Sequence, residues 1–144
     1  MLPDFTDGLL PPGIHKATWR EVCERFGWNL RRGRLLIGLQ LARRDLRRAG
    51  CYTAWLDGSF VTSKDHPRDY DLAWEPDGVD VALLDPVLRD VCPPRWGQKV
   101  KYLGDILPNV REASSGQPFL DFFQQDIDTG RARGIVEMDL LEDE

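Results

Sequence analysis

GSFVTSKDHPRDYDL, at residues 58–72, is the most informative segment of the chain. It follows an apolar run at residues 51–56 that is typical of a β-strand. Residues 69–74 predict a second strand, which carries Asp69 and Asp71. Because side chains on a strand repeat with a period of two, both carboxylates lie on one face, about 7 Å apart along the strand.

The Gly58-Ser59 pair stands where the first strand ends and a short helix or turn, at residues 59–65, begins. Small residues let backbone N–H groups approach a phosphate at such a helix start. Two carboxylates on one strand face supply hard oxygen ligands that can hold Mg²⁺ against a triphosphate. The two pairs therefore indicate a site for a metal-bound nucleotide. A tight loop with two surface aspartates would give the same pattern without this chemistry.

Together these pairs resemble the nucleotidyltransferase superfamily, which includes DNA polymerase beta, kanamycin nucleotidyltransferase and the short minimal nucleotidyltransferases of bacteria. The resemblance covers roughly residues 50–105. It implies a nucleotidyltransferase-like fold in which Gly58 and Ser59 contact the triphosphate of an NTP, most simply ATP. It also implies that Asp69 and Asp71 are catalytic residues that bind Mg²⁺ or Mn²⁺.

The superfamily usually supplies a third carboxylate from the next strand, which binds metal and can accept the proton of the nucleophile. We expect that strand at residues 99–103, where Lys101 aligns with the third position. Asp105 follows directly and is the candidate third catalytic residue, with a turn residue as the alternative. Asp80 is a further candidate, although its place is typical of a helix start. Lys64, inside the motif loop, either touches the triphosphate or is an ordinary loop lysine.

The chain has 144 residues, which is the size of a single domain. We expect one nucleotidyltransferase-like domain over residues 1–144. It divides into N-terminal helices at 1–50, the core motif region at 51–105, and a C-terminal segment at 106–144 with the final strand and an acidic tail. The order of elements predicts an α/β (α+β) fold, a small mixed β-sheet with helices packed on it.

Local signals predict the remaining elements. Thr18 and Glu21 form a capping box at the start of a short helix that ends at about Phe26. Asn29 caps a long helix with an apolar stripe. The other predicted elements are a loop-like start at 1–17, the long helix at 30–49, a helix at 81–91, an apolar helix or strand at 119–125 and the last strand at 134–140.

The long helix is rich in arginine. Seven lie on it, namely Arg31, Arg32, Arg34, Arg43, Arg44, Arg47 and Arg48. Such a set usually forms a solvated helix face, and we favour that interpretation. The alternative is that the arginines meet phosphate groups or an acidic protein.

Composition excludes several classes of protein. Without an apolar run of about 18 residues or a signal-peptide pattern, we expect no membrane contact. Three widely spaced cysteines and two histidines argue against a zinc site and favour free thiols in a reducing cytoplasm.

Residues 114–144 carry eight Asp or Glu and two Arg, which accounts for the net charge of −5. Such an acidic end is either solvated or binds a basic partner.

Two functions are compatible with these features. The first is a Mg²⁺-dependent nucleotidyltransferase that moves an NMP, most simply AMP, to a hydroxyl of a protein, an RNA or a small molecule. The second is a catalytically inactive nucleotidyltransferase fold that binds a partner protein, as an antitoxin-like component of a toxin–antitoxin pair. The intact Asp69 and Asp71 pair favours the enzyme, whereas Lys101 at the aligned third position favours the binding module.

Overall fold

The computed structural model describes residues 1–109 and 132–142, which form a five-stranded mixed β-sheet with helices packed on it. The predicted mixed α/β architecture is confirmed. In chain order the elements are β1 (Gly13–Lys16), α1 (Trp19–Phe26), α2 (Leu30–Arg48), β2 (Thr53–Asp57), β3 (Tyr70–Trp74), α3 (Pro86–Arg89), α4 (Trp96–Tyr102), β4 (Gly104–Pro108) and β5 (Gly134–Asp139). Short 3₁₀ turns lie at Ser59–Val61 and Val81–Leu83.

The strands lie in the order β1-β5-β2-β3-β4. β1 is parallel to β5 and β3 is parallel to β4, whereas β2 runs antiparallel to both of its neighbours. On one face Leu56, Leu72 and Ile106 form a buried row that packs with the helices in the main core. The opposite face carries a smaller apolar cluster of Trp55, Ala73 and Ile135. That second face also receives the polar side chains at the ends of the strands.

The predicted helix starts are confirmed. The Thr18 Oγ1 accepts a hydrogen bond from the Glu21 N–H at 3.0 Å, and the Glu21 carboxylate accepts one from the Thr18 N–H at 3.2 Å. Asn29 caps α2 by accepting from the N–H of Arg32 at 2.9 Å. Among the described residues, no helix has the length and apolar character that a bilayer crossing requires.

Three predicted elements differ from the structure. The strand expected at 99–103 is wrong, because these residues belong to the end of α4 and the turn after it. Gln98 and Tyr102 are one helical turn apart and both buried, whereas the short alternation of lysine and apolar residues resembled a strand. The helix at 81–91 is also wrong, since a 3₁₀ turn comes first and α3 begins at Pro86.

At the N-terminus, the stretch expected to be loop-like contains β1, which pairs with β5. This pairing joins residues about 120 positions apart, a separation that local patterns do not report. The last strand, β5, agrees with its prediction to within a residue or so. The apolar segment expected at 119–125 lies outside the described residues.

Two arginines of α2 are not part of a solvated face, so that interpretation is wrong for them. Arg32 is completely buried, and Arg43 is 3% exposed with its guanidinium 4.3 Å from the ring centre of Trp19. The other five are exposed, as expected: Arg31, Arg34, Arg44, Arg47 and Arg48.

Arg32 fixes the loop that follows Gly58. Its guanidinium donates to the carbonyls of Phe60 at 2.6 Å, Thr62 at 2.7 Å and Lys64 at 2.5 Å, and to the carbonyl of Phe26 at 3.1 Å. Burial lowers the pKa of Arg32 to about 10, so the group stays charged at neutral pH. One buried cation therefore joins the first turn of α2 to the whole loop.

Replacement of Arg32 should destabilise the fold strongly. Arg32→Met leaves buried carbonyls without a donor, and we expect the free energy of unfolding to fall by about 3 kcal/mol or more. The matched control is Arg47→Met, an exposed arginine of the same helix, with an expected change within about 0.5 kcal/mol. Urea unfolding measures both, and equal losses in the two variants would contradict this role.

Candidate metal centre

Strand pairing brings three aspartates into one row across the sheet. Asp57 pairs with Asp71 between β2 and β3, and Asp71 pairs with Asp105 between β3 and β4. Residues in register on neighbouring strands lie on the same face, with the strands about 4.8 Å apart. The row lies on the face opposite the main core.

Asp69 joins this row, although it lies just before β3. One carboxylate oxygen from each of Asp69, Asp71 and Asp105 lies within 4.8 Å of the other two. Asp69 is two residues before Asp71, so the period of an extended chain places both on one face. The three carboxylates proposed from the sequence therefore meet in one cluster, which we call the aspartate cluster.

The other candidates for the third position lie elsewhere. Lys101 is on α4, where its ammonium pairs with Asp85 at 2.5 Å and lies 3.9 Å from Asp45. Asp80 accepts from the N–H of Ala82 at 3.0 Å and starts a 3₁₀ turn, in keeping with a helix-start role. Neither residue belongs to the aspartate cluster.

Asp105 reaches the cluster because β4 begins directly after α4. Leu103 ends the helix in the left-handed conformation, with φ of 63°. Gly104 then lies so close to the ring of Tyr70 that a β-carbon would collide with it. Gln98 fixes the strand by accepting from the N–H of Ile106 at 2.8 Å and donating to its carbonyl at 2.9 Å.

Two cations of α4 and its cap hold Asp105. The Lys99 ammonium lies 2.7 Å and 2.8 Å from the two carboxylate oxygens, and the Arg95 Nε donates to one of them at 3.1 Å. Lys99 also lies 3.6 Å from the carboxylate of Asp69. These contacts reduce the net negative charge at one side of the cluster.

Asp71 lies between charged neighbours. On its other side, Asp57 is buried and accepts from Arg133 at 3.2 Å. Within residues 1–109 and 132–142, no cation forms a salt bridge with Asp71 itself. The central carboxylate of the row is therefore the least compensated one.

The pKa values follow from this arrangement. Burial, together with the charges of Asp69, Asp57 and Asp105, raises the pKa of Asp71 to about 7. Burial and the Asp105 charge also raise the pKa of Asp69. Burial alone would lower the pKa of Lys99, but its hydrogen bond and ion pair with Asp105 outweigh that effect and raise it.

Beside Asp71 lies an open cleft of 480 Å³, which we call the Gly-Ser cleft. Gly58 has φ of 83°, and a β-carbon there would collide with the Asp71 carboxylate. Both facts restrict this position to glycine. The cleft is lined by hydroxyl, carboxylate and cationic groups, among them Ser59, Thr62, Ser63, Lys64, Asp71 and Arg133. The structure thus places Gly58, Ser59 and Lys64 on the same side of the cluster.

The aspartate cluster fits a hard divalent cation. Three half-buried carboxylates with oxygens this close repel one another, and this repulsion adds to the effect of burial in raising the pKa of Asp71. Mg²⁺ and Mn²⁺ prefer carboxylate oxygens. Asp69, Asp71 and Asp105 are therefore the residues that would hold such an ion.

The cations around the carboxylates do not follow from the local sequence patterns. Lys99 and Arg95 reach Asp105 from α4 and its cap, whereas residues 99–103 predict a strand. Arg133 meets Asp57 across 76 positions of sequence, and nothing in its own surroundings indicates that contact. A helix predicted at residues 96–102 would indicate that Lys99 lies near Asp105.

The fold and the aspartate cluster define an α/β domain with a candidate metal centre on one face of a mixed sheet. The chain belongs to the family described as Family of unknown function (DUF6932), whose pattern matches residues 3–139. The match includes every residue of the aspartate cluster and of the Gly-Ser cleft. No curated protein and no solved structure matches the chain.

The raised pKa of Asp71 has a consequence for stability. A carboxyl whose folded-state pKa of about 7 exceeds the unfolded value of about 3.9 stabilises the fold only while it is protonated. Metal-free protein should therefore lose stability between about pH 4 and about pH 7, by up to about 4 kcal/mol from this group.

Asp71→Asn should remove that loss. In EDTA, thermal unfolding should show a stability advantage of this variant over the wild type that grows as pH rises toward about 7 and then levels off. Asp77→Asn, in the exposed turn after β3, reports the effect of removing a surface carboxylate. An advantage that stayed constant with pH would mean that the fold does not raise the pKa of Asp71.

Proposed function

We propose that this protein is a cytoplasmic, Mg²⁺-dependent nucleotidyltransferase that moves an NMP, most simply AMP, from an NTP to a hydroxyl group. The observation that carries the proposal is the meeting of Asp69, Asp71 and Asp105 beside the Gly-Ser cleft. The free thiols of Cys23, Cys51 and Cys92 are compatible with a reducing compartment.

Each element of the site has a role in this reaction. Gly58 and Ser59 would let the triphosphate approach the backbone, with Lys64 and Arg133 as cations along the same cleft. Mg²⁺ held by the aspartate cluster would neutralise charge on the transferred phosphoryl group and on the departing pyrophosphate. The acceptor oxygen would attack the α-phosphorus as the bond to the β-phosphate oxygen breaks. Asp105 would accept the hydroxyl proton.

The ion pair between Lys99 and Asp105 supports a second candidate function. Lys99 already occupies both oxygens of Asp105 and approaches Asp69, as a stable structural ion pair would. Under that interpretation the domain is an inactive nucleotidyltransferase fold that binds a partner protein, for example in a toxin–antitoxin pair. The enzyme requires that Lys99 give way to the cation, whereas the binding module does not.

The test combines calorimetry with transfer of radiolabelled NMP. The protein should bind an NTP more tightly with Mg²⁺ or Mn²⁺ than with EDTA, and Asp69→Asn plus Asp71→Asn should abolish that difference.

Asp105→Asn should lower transfer on the order of 100-fold while nucleotide affinity falls less. A control, Asp77→Asn plus Asp90→Asn, removes two exposed carboxylates outside the cluster. The four labelled NTPs are each supplied with cellular RNA, cellular protein or small metabolites as acceptor pools.

Two single lysine variants distinguish between the two candidate functions. Lys99→Met removes the cation that competes for the carboxylates, so the affinity for Mn²⁺ should rise severalfold. Lys101→Met, on the same helix but paired with Asp85, should leave it unchanged. Metal-independent nucleotide binding, or none, with no response to Lys99→Met, would reject the enzyme and leave the binding module.

A further inference from the structure

A second cleft opens on the other side of the aspartate cluster. Its volume is 480 Å³, and it lies between the start of α2, the residues before β3 and the outer side of α4. We call it the arginine cleft, after three of its residues, Arg31, Arg34 and Arg68. Lys99 adds a fourth cation, and among the described residues of the lining Asp69 is the single carboxylate.

The three arginines are exposed and available to a ligand. Across residues 1–109 and 132–142, none of them forms a salt bridge with a carboxylate. Arg31 and Arg34 are three residues apart on α2, so their side chains leave the same helix face, about 5–6 Å from each other at Cβ. Three exposed arginines therefore line one cleft of a chain whose net charge is −5.

The cleft also offers an aromatic surface. Trp96, at the start of α4, lines it and is 67% exposed, which is unusual for so large an apolar side chain. Planar guanidinium groups bind phosphates in a forked geometry, and an exposed indole stacks on a base. Exposed arginines beside an exposed aromatic ring are the combination by which proteins hold single-stranded nucleic acid. An acidic peptide would use the arginines and leave Trp96 without a role.

Within the part of the chain that the structure describes, the two clefts share no lining residue. Asp71 lines the Gly-Ser cleft and Asp69 lines the arginine cleft, so the aspartate cluster lies between them. Transfer at phosphorus places the attacking and leaving oxygens roughly in line on opposite sides. If the triphosphate enters the Gly-Ser cleft, the acceptor hydroxyl must approach from the arginine side.

We propose that the acceptor is the end of a single-stranded nucleic acid, bound in the arginine cleft. Arg31, Arg34 and Arg68 bind its backbone phosphates, Trp96 stacks on a base near the end, and the terminal hydroxyl lies at Asp69. This inference rests on the proposed function for the direction of transfer. The binding of the strand itself requires neither metal nor NTP.

Fluorescence anisotropy with labelled single-stranded RNA of about ten nucleotides tests the binding in EDTA, without NTP. The wild type should bind, and its affinity should fall as salt rises from about 50 to about 200 mM, in proportion to the phosphates contacted. Arg31→Gln, Arg34→Gln and Arg68→Gln together should reduce the slope of log affinity against log salt by about 2. Trp96→Ala should weaken binding about tenfold with the slope unchanged.

The matched control carries Arg20→Gln, Arg47→Gln and Arg48→Gln, which remove the same charge from exposed positions outside the cleft. Equal loss in the control, or equal affinity in the cleft variant and the wild type, would overturn the proposal. So would competition by polyglutamate as effective as that by unlabelled RNA, which would indicate an acidic polypeptide.

Calorimetry with Mg²⁺ and NTP separates this inference from the proposed function. The cleft variant should bind NTP as the wild type does, because the triphosphate uses the Gly-Ser cleft. Loss of NTP binding in that variant would make the arginine cleft the triphosphate site and overturn the inference. If RNA binds as described but no NTP binds, the proposed function fails while the nucleic-acid site stands.

Discussion

The register of β3 against its two neighbours is the constraint on which this site depends. It puts Asp57, Asp71 and Asp105 side by side, about one strand spacing apart, so three like charges meet on one sheet face. A slip of one residue would turn each aspartate to the opposite face. The buried row Leu56, Leu72 and Ile106 lies in the same register on the core side, and its burial holds the carboxylates together against their repulsion.

Around this row the protein compensates charge unevenly. Asp57 has Arg133 and Asp105 has Lys99 and Arg95, whereas Asp71 has a raised pKa and a glycine against it. An unevenly compensated carboxylate cluster in a cleft is typical of sites that bind or transform a ligand. Arg32 supports the site by fixing the loop after Gly58, because its guanidinium donates hydrogen bonds to buried carbonyls of that loop. Fold stability and site geometry therefore depend on the same few buried polar groups.

Much of this could be predicted from local sequence. The caps at Thr18 and Asn29, the strands around Gly58 and Asp71, and the mixed fold class follow from short-range patterns. The strand that carries Asp105 and the helix before it could not, because residues 99–103 alternate like a strand although Gln98 and Tyr102 are buried on a helix. The cations that hold the carboxylates come from distant positions, and burial of Arg32 depends on carbonyls that only the folded loop presents. Such contacts belong to tertiary structure.

We propose that Asp69, Asp71 and Asp105 together hold one metal ion. Crystals grown with Mn²⁺ and a non-hydrolysable ATP analogue would locate that ion by anomalous diffraction. We expect a Mn²⁺ peak at coordination distance from oxygens of all three carboxylates, with Lys99 displaced from Asp105 and the triphosphate beside Gly58. An analogue bound elsewhere, or no peak while Lys99 keeps its ion pair at saturating Mn²⁺, would contradict it.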